Sequence, residues 1–200
     1  MANLDAPNGF VPVRHLTGGV VRYTGGFTID SAQASDIFLG DPVALDGTPT
    51  GDGNNIDLSD GTGTIVGVFA GCQYTAANGD VVWAKQWVSG TATLGGAPAE
   101  AFVYVDPNIV FSVQCDGTIT DDDIGGFADA ADVGGGNPAT GVSTFEIASA
   151  SFATTIAQWQ ILGLAKAPDG IYTADISSAN PRLEVQIAES QYRAWPGAVS

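Results

Sequence analysis

The sequence predicts an all-β protein: an antiparallel β-sandwich or barrel, jelly-roll-like or β-tulip-like, with an extended N-terminal arm and little helix. Three observations predict it. Gly, Pro, Asn and Asp recur about every 8–12 residues, the rhythm of a sandwich or barrel, and the chain holds 27 Gly and 10 Pro. The runs between them are short, rich in Val, Ile, Phe, Tyr and Thr, and several alternate with period two. Helix signals are weak: "TDDDIGG" opens with capping acids, but Gly125 and Gly126 break it after one turn.

Residues 1–20 form the arm. Pro7, Gly9 and Pro12 oppose regular pairing, and Pro12 biases Val11 towards extended backbone. A single body spans 21–190, with strands expected at Val20–Tyr23, Pro42–Leu45, Thr64–Phe69 and Val81–Val88. Further strands are expected at Phe102–Val105, Ile109–Gln114, Thr144–Ala148, Trp159–Leu164 and Leu183–Ile187. In "FVYVDPNIVFSVQ", Phe102 and Tyr104 share one face and Val103 and Val105 the other, until Asp106-Pro107-Asn108 turns the chain. In "LEVQIAE", Leu183, Val185 and Ile187 point one way and Glu184 and Gln186 the other. A strand through "VVWAKQWV" would put Trp83, Lys85 and Trp87 on one face, in a core or subunit contact. Residues 129–141 are small and read as an exposed loop. Residues 191–200 form a tail.

Charge narrows the function classes. The formal net charge is −16, with only six Lys and Arg. A surface that tracks phosphates needs clustered cations, so neither nucleic acid nor an anionic membrane is expected as a partner. No apolar run approaches the roughly 20 residues of a spanning helix. The opening "MANLDAPNGF" lacks a basic and an apolar region, so no signal peptide is expected and synthesis in a cytosol is. Cys72 and Cys115 are then expected as buried free thiols.

The residues suggest no enzyme and no cofactor. His15 is the only histidine and sits in the proline-broken arm. A serine or cysteine triad would need it held rigidly against a nucleophile, and no GxSxG elbow occurs. "DVGGGNP" lacks the lysine of a phosphate cradle. Calcium is the other use for the acids: Asp52, Asp57 and Asp60 in "GDGNNIDLSDGTG", and Asp121, Asp122 and Asp123 in "TDDD". Calcium takes six to eight oxygens, but neither stretch has the twelfth-position Glu of an EF-hand, and Asp and Asn are ordinary turn residues.

The scarce cations lie near the ends. Arg14 and Arg22 lie near the start, and Arg182 and Arg193 near the end. Arg14, Arg22 and Arg193, with Phe10, Pro12, His15, Tyr192 and Trp195, make a set of partner-contact candidates. Pairing of these cations with the chain's own acids is the competing expectation.

The opening "MANLDAPNGFVPVRHLTGG" resembles the start of head decoration, or cement, proteins of tailed bacteriophages. Similarity continues in order through "DIFLGDPVALDGT", "GTIVGVFAG", "VYVDPNIVFSVQ", "WQILGLAKAPD" and "LEVQIAESQYRA". The pattern departs at Val11, where a basic residue is common, and at Ala188 and Ser190, where relatives carry Asn and His. The resemblance implies a non-enzymatic virion protein, commonly a homotrimer. It would sit outside a capsid of HK97-type major capsid protein, at three-fold positions, and brace the shell. The residues also leave open a calcium-dependent extracellular β-module of adhesin or surface-layer type, and a head or tail fibre protein.

Overall fold

The computed structural model describes residues 3–46, 54–165, 176 and 178–192. The order of strands is β1 (Val11–His15), β2 (Thr24–Ile29), β3 (Ile37–Phe38), β4 (Pro42–Leu45), β5 (Ile56–Leu58) and β6 (Gly67–Thr75). Then come β7 (Val81–Ala84), β8 (Gln86–Trp87), β9 (Ala99–Tyr104), β10 (Ile109–Gln114), β11 (Phe127–Ala128) and β12 (Ala130–Ala131). The last are β13 (Gly136–Asn137), β14 (Val142–Ser143), β15 (Glu146–Ile147), β16 (Trp159–Leu164) and β17 (Arg182–Ile187). Among the described residues, helix is limited to 3-10 turns at Leu94–Gly96, Asp121–Asp123 and Ser149–Ser151. The protein is all-β, with antiparallel sheets in a sandwich-like arrangement.

Two sheets make the body. The first runs β1-β10-β17-β16-β11. The second runs β2-β9-β6-β4-β5, with β7 paired to the far half of β6. Its outer strands meet: the Thr28 amide donates to the Asn54 carbonyl at 3.1 Å, and Thr28 bridges Asn55. The second sheet therefore curls into a small barrel. Burial on both sides of β6 follows from its residues. Phe69 and Cys72 point into the barrel with Phe27, Ile29, Val43, Trp87 and Val103. Val68 points out, into a second core beneath the first sheet with Phe111, Phe145, Trp159, Leu183, Val185 and Ile187. The alternation read in Leu183–Ile187 is realised: the three apolar side chains are fully buried and Glu184 and Gln186 are not.

Several elements differ from the sequence reading. The arm is not free: Val11–His15 pairs antiparallel with β10 as the edge strand of the first sheet. An edge strand tolerates Pro12, whose missing N–H removes no bond that the sheet's interior needs. The register slips between Pro12 and Arg14, so Val13 is an extra, bulged residue. The strand expected at Val20–Tyr23 begins instead at Thr24, because the inward apolar positions there are Phe27 and Ile29, while Val20 and Tyr23 are exposed. Val81–Val88 breaks at Lys85 into β7 and β8, and β8 pairs with β3. Trp83 and Trp87 thus part company: Trp83 is 67 % exposed and Trp87 is in the barrel core. Within 129–141, short strands β12 and β13 form where only a loop was expected. Cys72 and Cys115 lie in different cores as free thiols, and burial raises both pKa values, to about 12 and about 11.

Candidate interaction surfaces

The first candidate surface is the N-terminal segment, where Phe10 turns inward while Val11, Val13 and Leu16 stay exposed. Gly9 takes a positive φ of 66° where the chain crosses Gly40 and Ser143; a Cβ there would stand 2.5 Å from the Ser143 Cβ. The Phe10 amide then donates to the Gly40 carbonyl at 3.0 Å. That turn drives the Phe10 ring into the core, where it stacks on Trp159 with centroids 3.9 Å apart and planes at 13°. Phe10 is therefore a core residue. Burying such a side chain contributes about 2–3 kcal/mol. Pro12 is half-buried opposite Phe111.

The cations of this region are satisfied within the chain. Arg14 reaches across β10 to Glu184 on β17, with Nε at 3.2 Å and Nη2 at 2.6 Å from Oε2. Arg182 donates to the Asn8 side chain at 2.7 Å and the Ala6 carbonyl at 2.9 Å, tying the N-terminal segment to β17. His15 Nε2 lies 2.9 Å from Asp106 Oδ2, and its Nδ1 accepts from the Thr17 amide at 3.3 Å. Both ring nitrogens are occupied, so the ring is a structural strut. Burial raises the pKa of Asp106, but bonds from Asn108 and His15 outweigh it and hold the carboxyl below its ordinary value. Arg22 is exposed and has no ion-pair partner among the described residues. Tyr192 is exposed and tilts against Phe27 at 6.3 Å. Arg193, Trp195 and Asp52 lie outside the described residues.

The remaining calcium candidates are engaged locally. Asp57 accepts from Gln33 at 2.5 Å and from the Leu58 amide at 2.7 Å. Asp60 accepts from the Thr62 amide and hydroxyl. Asp123 closes a capping box with Thr120, and Asp121 and Asp122 stand exposed in the same turn. Among the described residues no three His, Cys, Asp or Glu side chains converge as a metal-binding group.

The second surface was missed in the sequence. Tyr23, Phe102 and Trp83 form a row across the outer wall of the barrel. The Trp83 and Phe102 rings are parallel within 2° at 5.4 Å, and Tyr23 meets Phe102 edge-on at 5.4 Å. Trp83 stands opposite Gln73, and Phe102 opposite Gly71 on the intervening strand β6. Gly71 offers no side chain, so the two rings meet over it. The Phe102 and Tyr104 alternation was legible; the break at Lys85 that turns Trp83 outward was not.

A third feature is a cleft of about 280 Å³ where the N-terminal segment enters, lined by Asn8, Phe10, Leu39, Gly40, Tyr104 and Val142 among others. Beneath it Asp41 is fully buried, accepting from the Phe38 amide at 2.7 Å and from Ser143. Burial pushes its pKa up to about 7 against the opposing effect of those bonds.

Among the described residues, fold and surfaces define an all-β protein with two cores, a paired N-terminal strand and an exposed aromatic row. Comparison with protein-family models, with curated proteins and with solved structures found no match.

Proposed function

We propose that the chain is a decoration protein of a tailed-phage head, bound outside a shell of HK97-type major capsid protein and stabilising that lattice. The observation that carries the reading is the ordered run of sequence segments from "GFVPVRHLTGG" to "LEVQIAESQYRA", which resembles such proteins over most of the chain. The all-β body supports it, and so does the use of His15 as a strut between Asp106 and Thr17 rather than as a base. In this reading the protein is non-enzymatic, needs no cofactor, is made in the host cytoplasm and resides on the virion surface. It acts by mass action: a protein that binds the mature lattice and not its open form stabilises the former. Repeated contacts at three-fold positions suit a homotrimer with closed symmetry.

The contacts with the shell fall on side chains that the fold leaves exposed, Tyr192 among the candidates. Phe10, Arg14 and His15 are committed to the body itself. Quantitative mass spectrometry of purified virions tests the reading. A copy number commensurate with the three-fold positions of the shell is expected. A count of a few copies per particle would point to a fibre protein instead, and absence from virions would overturn the proposal.

A further inference from the structure

We propose that the uncovered row Tyr23–Phe102–Trp83 is the surface through which one copy of this chain binds a second copy. The barrel wall itself supplies the argument. On β9 the outward side chains are Glu100, Phe102 and Tyr104, and the facing positions of β6 are Gln73, Gly71 and Val68. At one end of this wall the first sheet lies over Val68 and Tyr104, with Tyr104 meeting Phe111 edge-on at 6.3 Å. Phe102 and Trp83 continue the same face beyond the edge of that cover. The wall is already a sheet-packing surface within the chain, and among the described residues its continuation has the same chemistry with nothing packed over it.

Exposure and rigidity point the same way. Val81 and Trp83, two apart on β7, are 60 % and 67 % exposed, and Tyr23 is 56 % exposed. An exposed apolar strand at a sheet margin is a pairing hazard unless something covers it. The rings already hold one another in place, so docking on them costs little side-chain entropy. Aromatic anchors with few charges are the composition of an interface centre.

Charge selects the occupant. The chain carries −16 overall, so two copies repel through most of their surfaces. The aromatic row bears no charge, and two such bodies approach at least cost through it. Near it in sequence stand the exposed cations Arg22, beside Tyr23, and Lys85, two residues from Trp83, and the anion Glu100, two residues from Phe102. None of the three has an ion-pair partner among the described residues. The face therefore carries both signs, and around a closed ring of copies Arg22 of one has Glu100 of the next as its counter-charge. Salt then strengthens the contact by screening the general repulsion, whereas it would weaken binding to a basic partner.

This inference deepens the proposed reading by naming its self-contact. Sedimentation velocity on the full chain at low and high salt tests it, with Trp83→Ser as the probe and Leu94→Ser, an exposed apolar residue on another loop, as control. The expected result is a concentration-dependent oligomer favoured by salt. Trp83→Ser should weaken it about tenfold or more with circular dichroism and melting unchanged, and Leu94→Ser should leave it intact. Arg22→Glu should weaken association, and adding Glu100→Arg should restore it. A wild type that stays monomeric at every concentration would overturn the inference, as would a folded Trp83→Ser that associates like the wild type. A monomer whose tryptophan emission shifts with added oligosaccharide would reassign the row to sugar stacking. An oligomer that forms as expected but is missing from virions would sink the function and leave this contact standing.

Discussion

Phe10 lies flat against Trp159, 3.9 Å between ring centroids, and Trp159 in turn meets Phe111 edge-on at 5.8 Å. The residue just before the first strand, one from the tenth and one from the sixteenth thus share a single aromatic cluster. The N-terminal segment is part of what holds the first sheet onto the barrel. Phe10→Ala should cost about 3–5 kcal/mol, read as a lowered midpoint in urea or thermal unfolding. A loss below about 1 kcal/mol would mean that the segment is peripheral to the core.

The crossing at Gly9 is as demanding. Gly9→Ala must fit a Cβ 2.5 Å from that of Ser143 while holding a φ of 66°. Destabilisation of more than about 1 kcal/mol is expected. Gly18→Ala, which has a positive φ but open space around it, should cost less, so the difference between the two melts isolates the close approach.

The Arg14–Glu184 pair should contribute little to stability despite its short distance. The Arg14 side chain is 47 % exposed, and exposed pairs are worth about 0–1 kcal/mol. Arg14→Ala should shift the melt by no more than that, and the shift should shrink in high salt. A large, salt-independent loss would show that the guanidinium packs as well as pairs.

Two carboxyls make stability depend on pH. Burial pushes Asp41 up to about 7; burial and then the charges of Asp5, Asp116 and Asp132 push Glu146 up to about 7. Both start from ordinary carboxylate values, so between pH about 4 and 7 the folded state binds more protons than the unfolded chain. Stability from these groups is therefore greatest in acid and is lost as pH rises towards 7. Asp106, held below its ordinary value, acts oppositely and only at lower pH. The thermal midpoint should fall between pH 5 and pH 8, and Asp41→Asn, which keeps the shape and cannot ionise, should flatten that fall. Asp41 should dominate, since Glu146 is only half-buried. An unchanged slope in Asp41→Asn would assign the effect elsewhere.

The body of the fold was legible where pattern and burial agree. Leu183–Ile187 appears within β17 because its strict alternation admits one pairing register, and Ile109–Gln114 appears with the expected bounds as a run buried on both faces. The N-terminal segment misled because its prolines argue against a central strand, and the pattern does not reveal that β1 is an edge. Phe10 looked like an anchor for a partner because its stacking partner, Trp159, lies far away in sequence. Trp83 and Trp87 looked alike because the break at Lys85 comes from β8 pairing with β3, which is a tertiary choice. The same geometry changes how the segment can be tested. Deleting residues 1–16 removes a strand and a core ring together, so it cannot separate docking from folding.

The proposal that the chain decorates a tailed-phage head is tested most directly on heads prepared without this protein. Purified protein is added to mature heads and to unexpanded ones, bound protein is separated by sedimentation, and thermal rupture of the heads is followed. The account predicts saturable binding to mature heads at a fixed ratio to their three-fold positions, a raised rupture temperature, and no binding to the unexpanded form. Folded protein that leaves mature heads unbound and their rupture temperature unchanged would contradict it.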